Sequence, residues 1–229
     1  MPVEEQGNTT GVVQQKHQWQ FNVCELPDLS GPERLVAAVD EVGRGALFGP
    51  VVAAAVILPV AVLPQLAIAG VKDSKQLSSR RRQGLAQDIQ KLALDWRIGY
   101  ATSFEIDQIN ILQASLLAMK RAVLKLKVQP DICLVDGQQS LPDLPIPQQT
   151  IVKGDERSLE IAAASIVAKV WRDDLVTRLA AKHSQYDLVA NKGYGTQRHR
   201  LALQQYGPSR LHRMSFSPCQ VKLALPYLE

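Results

Sequence analysis

The chain alternates short apolar runs with stretches of helical spacing from Leu35 onward. Leu35–Asp40 reads as a buried strand, 42–49 as a turn, and Pro50–Leu58 as a second strand rich in valine and alanine. The short glycine-containing link between them predicts an antiparallel hairpin. Pro59 and Pro64 break the pattern that follows. Ser78 is placed to cap a helix running to about Leu94. Trp96–Ala101 alternates as a strand. Ser103 opens a helix to about Lys127, with Ile109, Leu112, Leu116, Met119, Val123 and Leu126 on one stripe, and Pro130 stops it. Ile132–Val135 is a short buried strand, and Thr150–Val152 another. Ser158–Lys182 reads as a long helix whose Ala162-Ala163-Ala164-Ser165 face is small enough to lie close to a sheet. Residues 184–195 read as a loop and Thr196–Tyr206 as a helix. Residues 1–33 are polar and aperiodic, a mobile tail in this reading. The order predicts an α/β fold, a mixed sheet covered by helices.

Two of the apolar strands end in acid, Val39-Asp40-Glu41 and Val135-Asp136-Gly137, and Asp155 precedes the long helix. Strand ends in α/β sheets converge on a functional edge. Carboxylates there need a partner, and a divalent cation serves several at once. Taken singly, Asp136-Gly137 is a turn signal and Asp155 a helix N-cap. The Asp40-Glu41 pair is harder to explain that way. Four carboxylates from three segments can share two cations about 4 Å apart. Magnesium or manganese suits such a set; zinc does not, because no histidine or cysteine cluster accompanies it. The Gly43-Arg44-Gly45 that follows permits close backbone approach and offers a guanidinium fork for phosphate. Its spacing with Gly49 is not that of a dinucleotide loop, and Pro50 opens a strand where such a loop needs a helix. The chemistry therefore points to phosphodiesters.

Charge sharpens this. Residues 1–34 carry five acids against Lys16 and Arg34, whereas residues 182–222 carry seven bases against Asp187 alone. A basic C-terminal quarter suits a polyanion, or is simply a solvated face. Tyr194, between Gly193 and Gly195, is placed either to stack on a sugar or base beside a 2′-hydroxyl or to anchor the next helix. Lys75, Lys153 and Lys192 are candidate phosphate contacts. The chain has 229 residues with 46% hydrophobic content, enough for one sizeable domain. Three separated cysteines fit a reducing cytoplasm, and neither a signal peptide nor a membrane span is evident.

Together these residues resemble a known family. Asp40–Gly45 with Gly49–Val56, Asp73-Ser74-Lys75-Gln76-Leu77, Val135-Asp136-Gly137, Lys153-Gly154-Asp155, Ala163–Val170 with Arg172-Asp173, Lys192–Thr196 and His212–Phe216 are similar, in order, to the motifs of bacterial ribonuclease HII. The resemblance covers about Leu35 to Pro218. It implies a ribonuclease H-like fold with a small helical C-terminal part: a tail over 1–33, a catalytic core over 34–183 and a basic segment over 184–229. It implies cleavage of RNA in RNA–DNA hybrids and incision 5′ of single ribonucleotides in duplex DNA, leaving 3′-hydroxyl and 5′-phosphate. By position, Asp40, Glu41, Asp136 and Asp155 would be catalytic and bind Mg²⁺ or Mn²⁺. Gly43, Arg44 and Gly45 would contact the ribonucleotide, and Tyr194 would sense its 2′-hydroxyl. Val42 stands where the family usually has alanine. Asp173 is expected to be structural, since 18 residues of one helix would separate it from Asp155. Gln220–Leu225 loosely resembles a sliding-clamp peptide, or is a terminal strand or packed tail. A monomer is expected. The rivals are another two-metal nuclease of the same fold and a non-catalytic nucleic-acid-binding module.

Overall fold

The computed structural model describes residues 34–71 and 77–220. The tail over 1–33, Lys75 and the clamp-like segment beyond Gln220 lie outside the described residues. Five strands, β1 (Val36–Val42), β2 (Val51–Ile57), β3 (Asp95–Ala101), β4 (Ile132–Asp136) and β5 (Gln148–Ile151), form one sheet in the order β3-β2-β1-β4-β5. β1, β2 and β3 pair antiparallel with one another in turn, so the expected hairpin is present. β4 lies parallel to β1, and β5 parallel to β4, which makes the sheet mixed as expected.

Helices cover both faces, as the buried strands require. Besides the sheet, the chain forms α1 (Leu63–Ile68), α2 (Ser79–Leu92), α3 (Ser103–Leu124), α4 (Gly154–Arg157), α5 (Leu159–Ala180), α6 (Leu188–Asn191) and α7 (Gln197–Tyr206). Side chains of β1 alternate: Ala37 and Val39 pack toward α3, whereas Ala38 packs toward α5. Ala162, Ala163 and Ala164 are fully buried there, as the small-residue stripe predicted. A third cluster joins Leu47 and Phe48 of the 43–49 turn to Val176, Tyr186, Leu188 and Leu203. The C-terminal segment is thereby packed against the turn that follows the acidic pair.

The caps explain where helices begin. Ser78 accepts from Arg81 N–H, and Thr102 with Glu105 makes a reciprocal capping box. Inside α3, Asn110 sits at φ 66° and its side chain accepts from Leu112 and Gln113 N–H, which breaks the helix and caps its second half. Three sequence readings change. Prolines 59 and 64 did not exclude helix, because Pro64 falls in the first turn of α1, where its missing N–H is harmless. The stretch 184–195 holds a 3-10 turn and α6 rather than loop alone. Asp155 is not on the long helix: extended Ser158 separates α4 from α5 and caps the latter. Asp173 is nonetheless engaged locally, 2.8 Å from Lys169 Nζ. Among the described residues, no helix is long and apolar enough to cross a membrane.

Candidate metal centre and nucleic-acid site

The parallel pairing of β1 with β4 sets Val39 opposite Val135, so the next residue of each strand, Asp40 and Asp136, emerges at the same edge. Glu41, one residue on, brings the third acid. Asp40, Glu41 and Asp136 each present an oxygen within 4.8 Å of the others. These are oxygen donors only, the set that hard divalent cations prefer. Asp155 stands beside this trio rather than within it; it is buried in the first turn of α4, near enough for its charge to act on Asp40.

Neighbouring groups orient the acids. The Glu41 N–H donates to Asp40 Oδ1 at 2.6 Å, and the Ser165 hydroxyl of α5 hydrogen-bonds the Asp40 carboxylate. Gly154 N–H donates to Asp136 Oδ1 at 2.6 Å. A Cβ at Gly154 would lie 2.5 Å from Ile161 Cδ1 and 3.1 Å from Asp136 Oδ1, so a side chain there would have to displace Ile161 and crowd the acid. Burial, and then the charges of Glu41 and Asp136, hold the Asp40 carboxyl well above its usual range. Burial raises Glu41 too, against the opposing effect of Arg44. A cluster that repels itself in this way fits a bound dication, which would offset the repulsion.

Arg44 is half-exposed, with Nη1 3.4 Å from Glu41 Oε1. It shares a 310 Å³ hollow with Glu41, Ser115, Met119, Asp136 and Val152. The Ser115 hydroxyl is buried in that wall without a hydrogen bond to any described residue. Gly45 has open space where a side chain would be, which suits close approach by a ligand, but Gly43 does not: its Cβ would strike the Arg172 guanidinium at 2.1 Å. Gly43, at φ 91°, is therefore glycine for packing.

Tyr194 is half-buried and bridges Ala46 of the turn through its backbone, which places the two loops side by side. Lys169 Nζ lies 5.3 Å and the Arg172 guanidinium 5.4 Å from its ring centre. Lys153, in the left-handed conformation, leads into α4. Lys192 is engaged by α5: its Nζ donates to Thr177 Oγ1 at 2.7 Å. Arg213 leaves the expected basic surface altogether, being fully buried. Ser165, Gly154, Arg172 and Arg213 escaped the sequence reading as site-building residues. Only the tight Lys153-Gly154-Asp155 spacing hinted at one of them.

Known proteins resemble this chain over most of its length. Residues 37–219 match the family model described as Ribonuclease HII. The ribonuclease HII of Trichormus variabilis is 68% identical over 197 residues, covering 86% of this chain and 88% of its own. That of Acaryochloris marina is 58% identical over 188 residues, covering 82% and 95%. Among solved structures, the ribonuclease H2 of Pyrococcus horikoshii superposes with a TM-score of 0.70 at 26% identity, covering 81% of this chain and 95% of that one. The RNase HII of Archaeoglobus fulgidus, solved in complex with PCNA, does so with a TM-score of 0.66 at 28% identity, covering 78% and 92%.

Proposed function

The chain belongs to the ribonuclease HII family, a metal-dependent endonuclease acting on RNA–DNA hybrids, and we propose that Asp40, Glu41, Asp136 and Asp155 are its catalytic carboxylates. The observation that carries this is the convergence of three carboxylates from two parallel strands beside a Gly-Arg-Gly turn. Asp40, Glu41 and Asp136 would hold Mg²⁺ or Mn²⁺, which when bound would supply an acidified water for attack and offset charge on the departing 3′-oxygen.

The protein's own groups prepare that chemistry. Ser165 and Gly154 N–H hold Asp40 and Asp136 in place, and Asp155 adds charge behind them. Arg44 offers a fork to a phosphate beside the acids, and the open face of Gly45 admits the sugar–phosphate backbone. Tyr194 presents its ring and hydroxyl to the ribose, and incision falls 5′ of the ribonucleotide. Lys75 and Lys153 contact flanking phosphates. Lys192 serves the same loop mainly by fastening it to α5. Residues 34–183 act as the catalytic core, and the segment over 184–229 carries Tyr194 to it. The protein works as a cytoplasmic monomer in this reading. A clamp contact through the C-terminal segment is supported by the PCNA complex of the Archaeoglobus relative.

The test is cleavage of an end-labelled DNA duplex carrying one ribonucleotide, with Mg²⁺ or Mn²⁺, beside an all-DNA duplex and a chelator control. A metal-dependent cut 5′ of the ribonucleotide, with the all-DNA duplex intact, is expected. Equal cutting of both duplexes would assign the site to a general two-metal nuclease.

A further inference from the structure

Arg172 on α5 and Arg213 beyond α7 head the fully buried large side chains among the described residues, each 0% exposed. A buried guanidinium is costly unless its donors are satisfied. Here the two guanidinium groups donate to main-chain carbonyls of two loops. Arg213 donates from Nε to Gly49 O at 3.1 Å, from Nη1 to Arg44 O at 2.7 Å and from Nη2 to Gly43 O at 2.7 Å. It fastens both limbs of the 43–49 turn from inside. Arg172 donates from Nε to Pro50 O at 3.1 Å, from Nη2 to Phe48 O at 3.1 Å and from Nη1 to Lys192 O at 2.9 Å. It therefore bonds the turn and the Tyr194 loop with a single rigid fork.

Packing around Arg172 tells the same story. Gly43 lacks a side chain where the guanidinium lies, and a Cβ at Gly193 would sit 2.8 Å from Phe48 O and 3.5 Å from Arg172 Nη2. Tyr194 rests its ring near the same guanidinium. Leu47 N–H donates to Gly193 O at 2.8 Å, closing the two loops over it. Burial lowers the pKa of both arginines, Arg213 to about 9, which still leaves it protonated at neutral pH.

We propose that Arg172 is a positioning residue for cleavage: without touching substrate, it fixes the separation between the Gly-Arg-Gly turn and Tyr194, and through it the preference for an isolated ribonucleotide. This rests on the reading of Tyr194 given above. A fork with three carbonyl partners on two loops cannot be replaced by an ammonium, which keeps the charge but not the geometry.

The experiment compares wild type, Arg172→Lys, Arg172→Met and Tyr194→Ala, each with Mn²⁺. For each, kcat and KM are measured on a single-ribonucleotide duplex and on a uniform RNA–DNA hybrid, together with the melting temperature. For Arg172→Lys, which retains charge and length, kcat on the single-ribonucleotide duplex falls about 100-fold, the scale of a 1 Å misplacement, and much less on the hybrid. Arg172→Met shows the same skew if it folds, and the lysine variant decides alone if it does not. A loss equal on both substrates and tracking the melting temperature would reduce Arg172 to a structural role and overturn the inference. If Tyr194→Ala abolishes the preference while Arg172→Lys keeps it, the inference fails alone. If Tyr194→Ala leaves the preference intact, the Tyr194 reading itself is wrong and the inference falls with it.

Discussion

Replacing Asp136 with asparagine should make the metal-free protein more stable while abolishing cleavage. Asp136, Asp40 and Glu41 have oxygens within 4.8 Å. Two full charges at that distance repel by about 3.5 kcal/mol at an effective dielectric constant of about 20. Part of this is already relieved, because the raised pKa of Asp40 favours its neutral form. An asparagine oxygen can still accept from Gly154 N–H, but the bond loses its charge assistance, a loss of about 1 kcal/mol. The balance is a gain of about 1–2 kcal/mol, or roughly 2–8 °C in melting temperature for a chain of this size. Saturating Mn²⁺ reverses the order, since a ligand at a hundred times its Kd stabilises the competent wild type by about 2.7 kcal/mol. The assay is thermal melting of both proteins in EDTA and in Mn²⁺, with cleavage of a labelled hybrid alongside. Melting of Asp136→Asn below wild type in EDTA would refute the reasoning, because Asp136 would then be held by the fold rather than strained within it. Full cleavage by the variant would remove it from the site.

Gly99→Ala should lower stability by about 1–3 kcal/mol or more, since its Cβ would meet Ala118 O at 2.1 Å and Ala122 N at 2.4 Å where β3 touches α3; melting reports it, and turnover per folded molecule should hold. Burial and His199 depress His212 to about 4 from an ordinary 6.5, so between those values the unfolded chain binds more protons than the folded one. Its contribution is complete above pH 6.5 and is lost as pH falls towards 4; wild type should lose melting temperature over that window relative to His212→Gln, and parallel curves would contradict this. Hybrid affinity should fall linearly on a log–log plot against salt, and Arg44→Ala should reduce the slope by about 1 if Arg44 neutralises a phosphate.

Much of this architecture was readable from residues. Apolar runs and one alternating stretch found the five strands, the last starting two residues late, and Ser78, Ser158 and Thr196 located three helix starts to within a residue. The acidic strand ends were visible because a core strand closing on Asp40-Glu41 has few bland explanations. What escaped depends on tertiary context. An arginine in sequence reads as surface, and nothing local marks Arg172 or Arg213 as donors to carbonyls more than a hundred residues away. The Asn110 break in α3 is silent because its apolar stripe continues across it. One continuous helix does not run from Asp155 to Asp173, as the sequence reading has it, because extended Ser158 divides α4 from α5 between them.

The strand order has a consequence for biosynthesis. The first three strands are contiguous and can zip into an antiparallel meander as soon as they are made, yet that piece holds only Asp40 and Glu41. Asp136 arrives with β4, which must seat against β1 across an interval that contains α3. On the proposed assignment, a nascent chain therefore has an incomplete acidic centre until well after its sheet begins to form. The same geometry makes the link between Leu124 and Ile132 a natural place to divide the protein into two inert halves that regain activity only on pairing.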